Sequence, residues 1–141
     1  MKRKRELALL ILLILLAGGF YLASRNDEKK NTSPGGEDVV WQIKEAKEKG
    51  EPMWLLFSST SCPPCVEMKK VFDRIKPEYE GKVLFINVNV DERGNYDLLR
   101  EYEIKYIPTT YIIDKKGEIT YHNIGIIPED TLREELNKVV K

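Results

Sequence analysis

The sequence predicts an α/β fold with a mixed central sheet flanked by helices, preceded by one N-terminal transmembrane helix. Two observations predict the sheet. First, segments with helical and strand periodicity alternate over residues 37–141, which requires crossover connections and parallel pairing. Second, only a short turn separates the last two strands, which adds an antiparallel hairpin. A third observation, a charge-free apolar run near the N-terminus, predicts the membrane helix.

Residues 1–23 are predicted to hold a cytoplasmic basic end and a membrane anchor. After MKRKR comes a run of seventeen uncharged residues, 7–23, which as a helix would be about 26 Å long, at the short end of what crosses a bilayer. A cleaved signal peptide is the alternative, because a basic start and a Leu-rich run suit both. The run continues through Phe20, Tyr21 and Leu22, which favours a signal-anchor. Either way we expect a cell-membrane location with the C-terminal domain extracytoplasmic, and single-pass if the anchor is kept.

Charge divides the chain at a polar linker, residues 24–36. The formal net charge of zero arises from a net +4 over residues 1–36 and a net −4 over residues 37–141. An acidic domain argues against a nucleic-acid partner, which would need a concentrated basic face. Two Cys and one His are too few for a disulfide-rich scaffold or a structural zinc site within one chain.

Residues 37–141 are long enough for one domain with one modest core. Its first helix follows a possible cap at Asp38 and stops at Gly50, the second stops at Pro77, and Gly117 lies in the turn of the final hairpin. Both tryptophans, Trp41 and Trp54, are assigned to the core. The predicted helices cover residues 38–49, 66–76, 96–102 and 128–140, and the predicted strands cover residues 53–57, 83–90, 109–113 and 118–124.

The motif Cys62-Pro63-Pro64-Cys65 lies where the first predicted strand gives way to a helix. Two intervening residues at a helix start let the sulfurs approach bonding distance. The unpaired N–H groups and the positive dipole end of the helix stabilise a thiolate at Cys62. Cys65, one turn further on, is the natural resolving thiol. We therefore predict a redox-active pair.

The two cysteines also have three uses outside redox chemistry, each of which fits less well. A purely structural disulfide closing so short a loop would constrain little of the unfolded chain. A c-type haem site needs His after the second Cys, and Val66 stands there. A lone pair of cysteines can bind copper or share zinc between chains, with His122 as a distant candidate ligand, although a histidine in mid-strand is more often an ordinary strand residue. We therefore predict neither a metal site nor a cofactor.

Ile107-Pro108-Thr109, at the entrance to a strand, is the second candidate feature. The X-Pro bond has only a small trans preference and can be cis, which would direct the chain towards the cysteine loop. The exposed backbone of Ile107 could then pair with an extended substrate peptide, which makes Ile107 and Pro108 candidate substrate-binding residues. An ordinary trans proline starting an edge strand is the alternative.

At this point residues 37–141 resemble the thioredoxin family. The resemblance rests on the CPPC motif, on Asn89-Val90-Asp91, on Tyr102-Glu103-Ile104 leading to Ile107-Pro108-Thr109, and on Gly117, Gly125 and the last helix. It implies a thioredoxin fold, with Cys62 as attacking thiol, Cys65 as resolving thiol and a cis-Pro108 beside them. The first strand usual in the family is not evident here.

The chain departs from the pattern of cytosolic thioredoxins around this motif. Leu56 stands at the position of the family's buried Asp, Asn87 at that of its Lys, and Ser61 at that of the usual aromatic residue. The usual proton acceptor for the resolving thiol is therefore in doubt. Glu67 is a possible replacement, although a solvated helix residue is the more ordinary interpretation.

These observations predict a membrane-tethered thiol–disulfide oxidoreductase that reduces protein disulfides, similar to the reductants of cytochrome c maturation. The expected partners are protein disulfide substrates and a membrane thiol transporter that returns electrons to the pair. The sequence between Pro77 and Pro108 leaves no room for the large helical insertion expected of a strongly oxidising relative. The alternative is a non-catalytic binding module or copper chaperone.

Overall fold

A computed structural model describes residues 36–141. The predicted anchor and nearly all of the linker lie outside the described residues. The helices are α1 (Gly36–Lys49), α2 (Pro63–Ile75), α3 (Tyr96–Glu101) and α4 (Glu129–Val140), and the strands are β1 (Met53–Ser58), β2 (Leu84–Asn89), β3 (Thr109–Ile113) and β4 (Ile119–Ile124). Short 3₁₀ turns at Lys76–Tyr79 and Arg93–Asn95 complete the order. None of the helices between residues 36 and 141 is both long enough and apolar enough to span a bilayer.

The sheet is mixed, as predicted. Its four strands lie in the order β2-β1-β3-β4, with β1 parallel to β2 and antiparallel to β3, and with β3 antiparallel to β4. The family's first strand would precede α1, among residues that lie outside the described part of the chain, so its absence stays a prediction. The central strand β1 is buried along its whole length.

Helices cover both faces of this sheet. Because side chains alternate along a strand, β1 contributes to two separate cores. Trp54 and Leu56 pack with residues of α2 and α4, whereas Leu55 and Phe57 pack on the opposite side with residues of α1 and with Leu98 of α3. The three-layer arrangement predicted from the alternation of helices and strands is therefore confirmed.

The prediction that Trp41 belongs to the core is wrong. Its side chain is 60% exposed, whereas Trp54 is fully buried between the rings of Phe72 and Phe85. The buried face of α1 is made by Val39, Ile43 and Ala46, and a residue two positions after Val39 points well away from that face on a helix with 3.6 residues per turn. Helical geometry thus places Trp41 towards solvent.

Candidate redox site

Cys62 and Cys65 form a disulfide at the start of α2, with their Cα atoms 5.2 Å apart. Cys62 is the N-cap residue with an extended backbone, and the backbone N–H of Cys65 donates to its Sγ at 3.4 Å. The carbonyl of Cys62 accepts the first helical hydrogen bond, from Val66 N at 3.1 Å. The start of α2 therefore fixes the positions of both sulfurs and directs the Cys65 N–H at the sulfur of Cys62.

The first turn of α2 favours negative charge on Cys62. Pro63 and Pro64 occupy positions where a helix has no partner for an N–H, and this turn contains no acidic side chain. The partial positive charge of the helix start is thus not offset from within the turn. In the reduced protein, this arrangement stabilises the Cys62 thiolate relative to the thiol.

The two sulfur-bearing residues differ in exposure. Cys65 is 1% exposed and belongs to the buried side of α2, whereas Cys62 is partly exposed. A molecule in solution can therefore approach Cys62, while Cys65 is reached only from within the protein.

The peptide bond between Ile107 and Pro108 is cis, as the resemblance implied. Phe57 pairs with Thr109 in the β1–β3 ladder, so Pro108 lies just past the end of β1, at the end of the sheet from which the cysteine loop departs. The carbonyl of Pro108 accepts a hydrogen bond from Gly125 N at 2.8 Å. Ile107 is partly exposed and Tyr106, before it, is 67% exposed, so this segment lines the accessible side of the same end.

Polar groups of β1 and β2 meet close to this end of the sheet. Leu56 is fully buried among apolar side chains, and its β2 partner in the ladder is Asn87. The buried Ser58 hydroxyl donates to Asn87 Oδ1 at 2.6 Å. An apolar Leu56 therefore occupies the position of the family's Asp, and Asn87, bonded to Ser58, occupies that of its Lys.

A second polar group adjoins Cys62 and was not identified from sequence. The buried Ser59 hydroxyl donates to Asp91 at 2.5 Å, lies 2.9 Å from the hydroxyl of Ser61, and accepts the Ser61 N–H at 3.2 Å. These bonds tie the loop before Cys62 to the loop after β2. The sequence signal was the serine-rich segment before the motif, but nothing in it specifies Asp91 as the partner.

Glu67 is a solvated helix residue and His122 is an ordinary strand residue, as their simpler interpretations predicted. Glu67 is exposed and forms an ion pair with Lys70 at 2.8 Å. His122 is on the edge strand β4, where its exposed ring stacks on Tyr111 with centroids 4.5 Å apart. Among the described residues, no three His, Cys, Asp or Glu side chains are grouped so that they could hold a metal ion.

Two cysteines that close to a disulfide at a helix start, one accessible and one buried, define a thiol–disulfide oxidoreductase. Residues 39–140 match the family model described as a thioredoxin-like domain. The chain is 35% identical over 107 residues to a thioredoxin of Porphyra purpurea, covering 72% of this chain and 97% of that protein. It is also 34% identical over 95 residues to thioredoxin 1 of a Nostoc species, covering 67% and 86% of the two chains. This chain belongs to the thioredoxin family.

Proposed function

We propose that the protein is a membrane-tethered, extracytoplasmic reductase of protein disulfides. The single observation that carries its chemistry is the pairing of a partly exposed Cys62 at the start of α2 with a buried Cys65 bonded to it. The tether and its orientation rest on the apolar run at residues 7–23 and the basic residues before it.

The reaction proceeds in two exchanges. The Cys62 thiolate attacks one sulfur of the client disulfide, forms a mixed disulfide, and releases the other client sulfur as a thiolate that takes a proton from water. Cys65 then gives its proton to water, attacks Cys62 Sγ and releases the second client thiolate, which takes a proton from water. Two electrons pass to the client, and the protein is left with the Cys62–Cys65 disulfide seen in the structure.

The client peptide is proposed to lie along the segment before β3. The partly exposed backbone of Ile107 precedes cis-Pro108 at the end of the sheet where the cysteine loop begins, so an extended peptide can pair with it while its disulfide faces Cys62. A membrane thiol transporter is the proposed electron donor that reduces the pair again.

Two observations favour reduction over oxidation of clients. Between Pro77 and Pro108 the chain forms only β2, two short 3₁₀ turns and the six-residue α3, without the helical insertion expected of a dedicated oxidant. The similar proteins named above are thioredoxins over most of their own length. Oxidised Cys-x-x-Cys-His peptides, the haem-attachment sequence of c-type cytochromes, are the client class we propose.

Trapping tests the chemistry. The Cys65→Ser variant should accumulate covalent mixed disulfides with clients on non-reducing gels, because the second exchange is lost, and Cys62→Ser should accumulate none. A docking module or copper chaperone would give no adducts with either variant, and that result would contradict the proposal.

The potential of the pair tests the direction. Equilibration with glutathione and dithiothreitol buffers should place the Cys62–Cys65 couple with the reducing thioredoxins, at about −270 mV. A value of about −120 mV, as in a dedicated disulfide donor, would show that the protein oxidises its clients.

Topology is tested separately. In whole cells, a membrane-impermeant maleimide should label reduced Cys62, and the chain should remain in the membrane fraction after an alkaline wash. Labelling only after the membrane is opened would contradict the extracytoplasmic location and leave the thiol chemistry untouched.

A further inference from the structure

An exposed aromatic surface lies on α1, away from the cysteine pair's own helix. Trp41 is 60% exposed and Val40 is 39% exposed, and both line a shallow cavity of about 470 Å³ together with Lys44, Arg93 and Gly94. We call these five residues the Trp41 surface. Tyr96, 51% exposed, begins α3 three residues after Arg93. The apolar ring and polar indole N–H of an exposed tryptophan suit a boundary between water and an apolar phase.

The charges of this surface suit a weakly anionic partner. Lys44 and Arg93 form no ion pair among the described residues, whereas Asp97, which also borders the cavity, is paired with Arg100. The exposed Asp38, one turn before Trp41, offsets one of the two cations. The apolar and aromatic side chains therefore dominate any association, and the remaining positive charge adds to it.

The position of the surface in the fold is informative. A short connection joins α1 to β1, so the two run antiparallel and the N-terminal half of α1 lies at the carboxyl end of β1. Contacts of α1 with the Arg93–Asn95 turn, which follows the carboxyl end of β2, agree with this direction. That same end of the sheet leads into Cys62.

We propose that the Trp41 surface lies in the headgroup region of the membrane that tethers the chain, with the Cys62 end of the domain turned towards the bilayer. This inference rests on the proposed tether. The described residues begin at Gly36, five positions before Trp41, and the chain ahead of them contains the apolar run at residues 7–23. A tryptophan beside lysine and arginine is a composition that favours the membrane interface.

A second copy of the chain is a poorer occupant. A stable protein interface buries about 800 Å² on each side and takes some 20–30 residues. The Trp41 surface has five residues, and its cavity is lined by charged as well as apolar side chains.

Quenching by brominated lipid tests the proposal on the full, oxidised chain. Trp41 and Trp54 are its only tryptophans, and Trp54 is fully buried, so contact quenching reports on Trp41. The chain would be inserted in vesicles of equal parts phosphatidylcholine and phosphatidylglycerol, with the phosphatidylcholine brominated near the headgroup end of its acyl chains. We expect Trp41 to lose more than half of its emission relative to unbrominated vesicles.

Three variants are matched controls. In Trp41→Phe only Trp54 emits, and its emission should be the same in brominated and unbrominated vesicles. The double variant Lys44→Glu, Arg93→Glu should regain emission, while Lys116→Glu, an exposed lysine in the β3–β4 turn at the other end of the sheet, should be quenched like the wild type. Unquenched Trp41 in a chain that stays in alkaline-washed vesicles would overturn this inference alone. A chain released by that wash would overturn the tether as well, and neither result bears on the mixed-disulfide test.

Discussion

Leu56 and Asn87 change how the second thiol exchange is expected to depend on pH. The cluster around Leu56 is apolar, and the polar pair beside it, Ser58 and Asn87, is neutral. None of these positions carries a titratable group. We therefore expect water that enters the Cys62 loop to take the proton of Cys65.

The pH dependence of kcat/KM should therefore follow one ionisation, that of the Cys62 thiol, below about 8.5. Glu67→Gln should leave the profile unchanged, because Glu67 is exposed and paired with Lys70. Steady-state reduction of a disulfide peptide across the pH range measures this. A profile displaced by Glu67→Gln would show that this carboxylate takes part in proton transfer.

The Ser58 hydroxyl should contribute to stability through its bond to Asn87. Ser58 is 5% exposed, and the bond is 2.6 Å long. Ser58→Ala is expected to lower the free energy of unfolding by about 1 kcal/mol, since the partly exposed Asn87 regains some hydration. Urea denaturation measures the change, and Thr60→Ala, at an exposed neighbouring position, is the control. Equal effects of the two substitutions would show that the bond contributes nothing specific.

Residue-level prediction succeeded where a chemical requirement limits the choice. Two cysteines at this spacing before a helix have few possible roles. A proline at the entrance to a strand, in a chain that also has such a motif, has few possible roles as well. It failed at Trp41, because hydrophobicity was given more weight than the angle that places Val39, Ile43 and Ala46 on one face. The Ser59–Asp91 bond was not accessible from sequence, since residues 32 positions apart meet only through the β1–β2 pairing.

At the scale of elements, a set of ion pairs joins α2, the following 3₁₀ turn and α4. Arg74 contacts Glu129 at 2.5 Å, and Arg133 contacts Glu78 at 2.8 Å and Glu129 at 3.1 Å. Hydrogen bonding from Arg133 lowers the pKa of Glu78, and hydrogen bonding from Arg74 and then Arg133 lowers the pKa of Glu129.

These lowered pKa values set the sign of a pH effect. A carboxylate whose pKa is lower in the folded state stabilises the fold above its ordinary value of 4.5, and that stabilisation is lost as the pH falls through the folded-state pKa. Unfolding free energy should fall below pH 4.5 in the wild type and fall less steeply in Arg133→Gln. Denaturation curves at several acidic pH values measure this. Arg100→Gln, which removes an exposed pair within α3, should keep the wild-type slope, and a wild-type slope in Arg133→Gln would contradict the prediction.

Element boundaries followed from sequence where a stop signal is strong. Gly50 has a positive φ of 65° and ends α1, and Pro77 is the second residue after α2, within a 3₁₀ turn. The apolar periodicity marks α2 only from residue 66, whereas the prediction that the Cys62-Pro63-Pro64-Cys65 motif lies at a helix start is confirmed. Pro63 and Pro64 fill the first turn, and the helix begins at Pro63 itself.

For the whole molecule, the disulfide should have a small effect on stability. It joins residues three apart in sequence, so the entropy it removes from the unfolded chain is worth at most about 2 kcal/mol. Neither of the two apolar clusters on opposite faces of the sheet includes a cysteine, so we expect both to persist in the reduced form. Reduced and oxidised chains should both unfold cooperatively in urea, and their free energies of unfolding should differ by no more than this amount. Loss of cooperative unfolding on reduction would show that the bond holds the fold together.

The overall architecture was predictable because alternating helices and strands admit few right-handed arrangements. The strand order depends on β1 lying centrally, and MWLLF suggested this by being apolar at every position. The one-residue irregularity between Ile112 and Ile113 in the β3–β4 ladder was not predictable, since turn residues fix register only approximately.

The burial of Cys65 on the inner side of α2 also predicts how the domain responds to peroxide. An oxidant in solution meets Cys62 first and converts its thiolate to a sulfenic acid, and the neighbouring Cys65 thiol displaces water from that sulfur to form the disulfide. Damage that would otherwise proceed to an irreversible sulfinic acid thus ends in the protein's ordinary oxidised state. We therefore expect the pair to resist overoxidation, and reduction of the disulfide would restore both thiols.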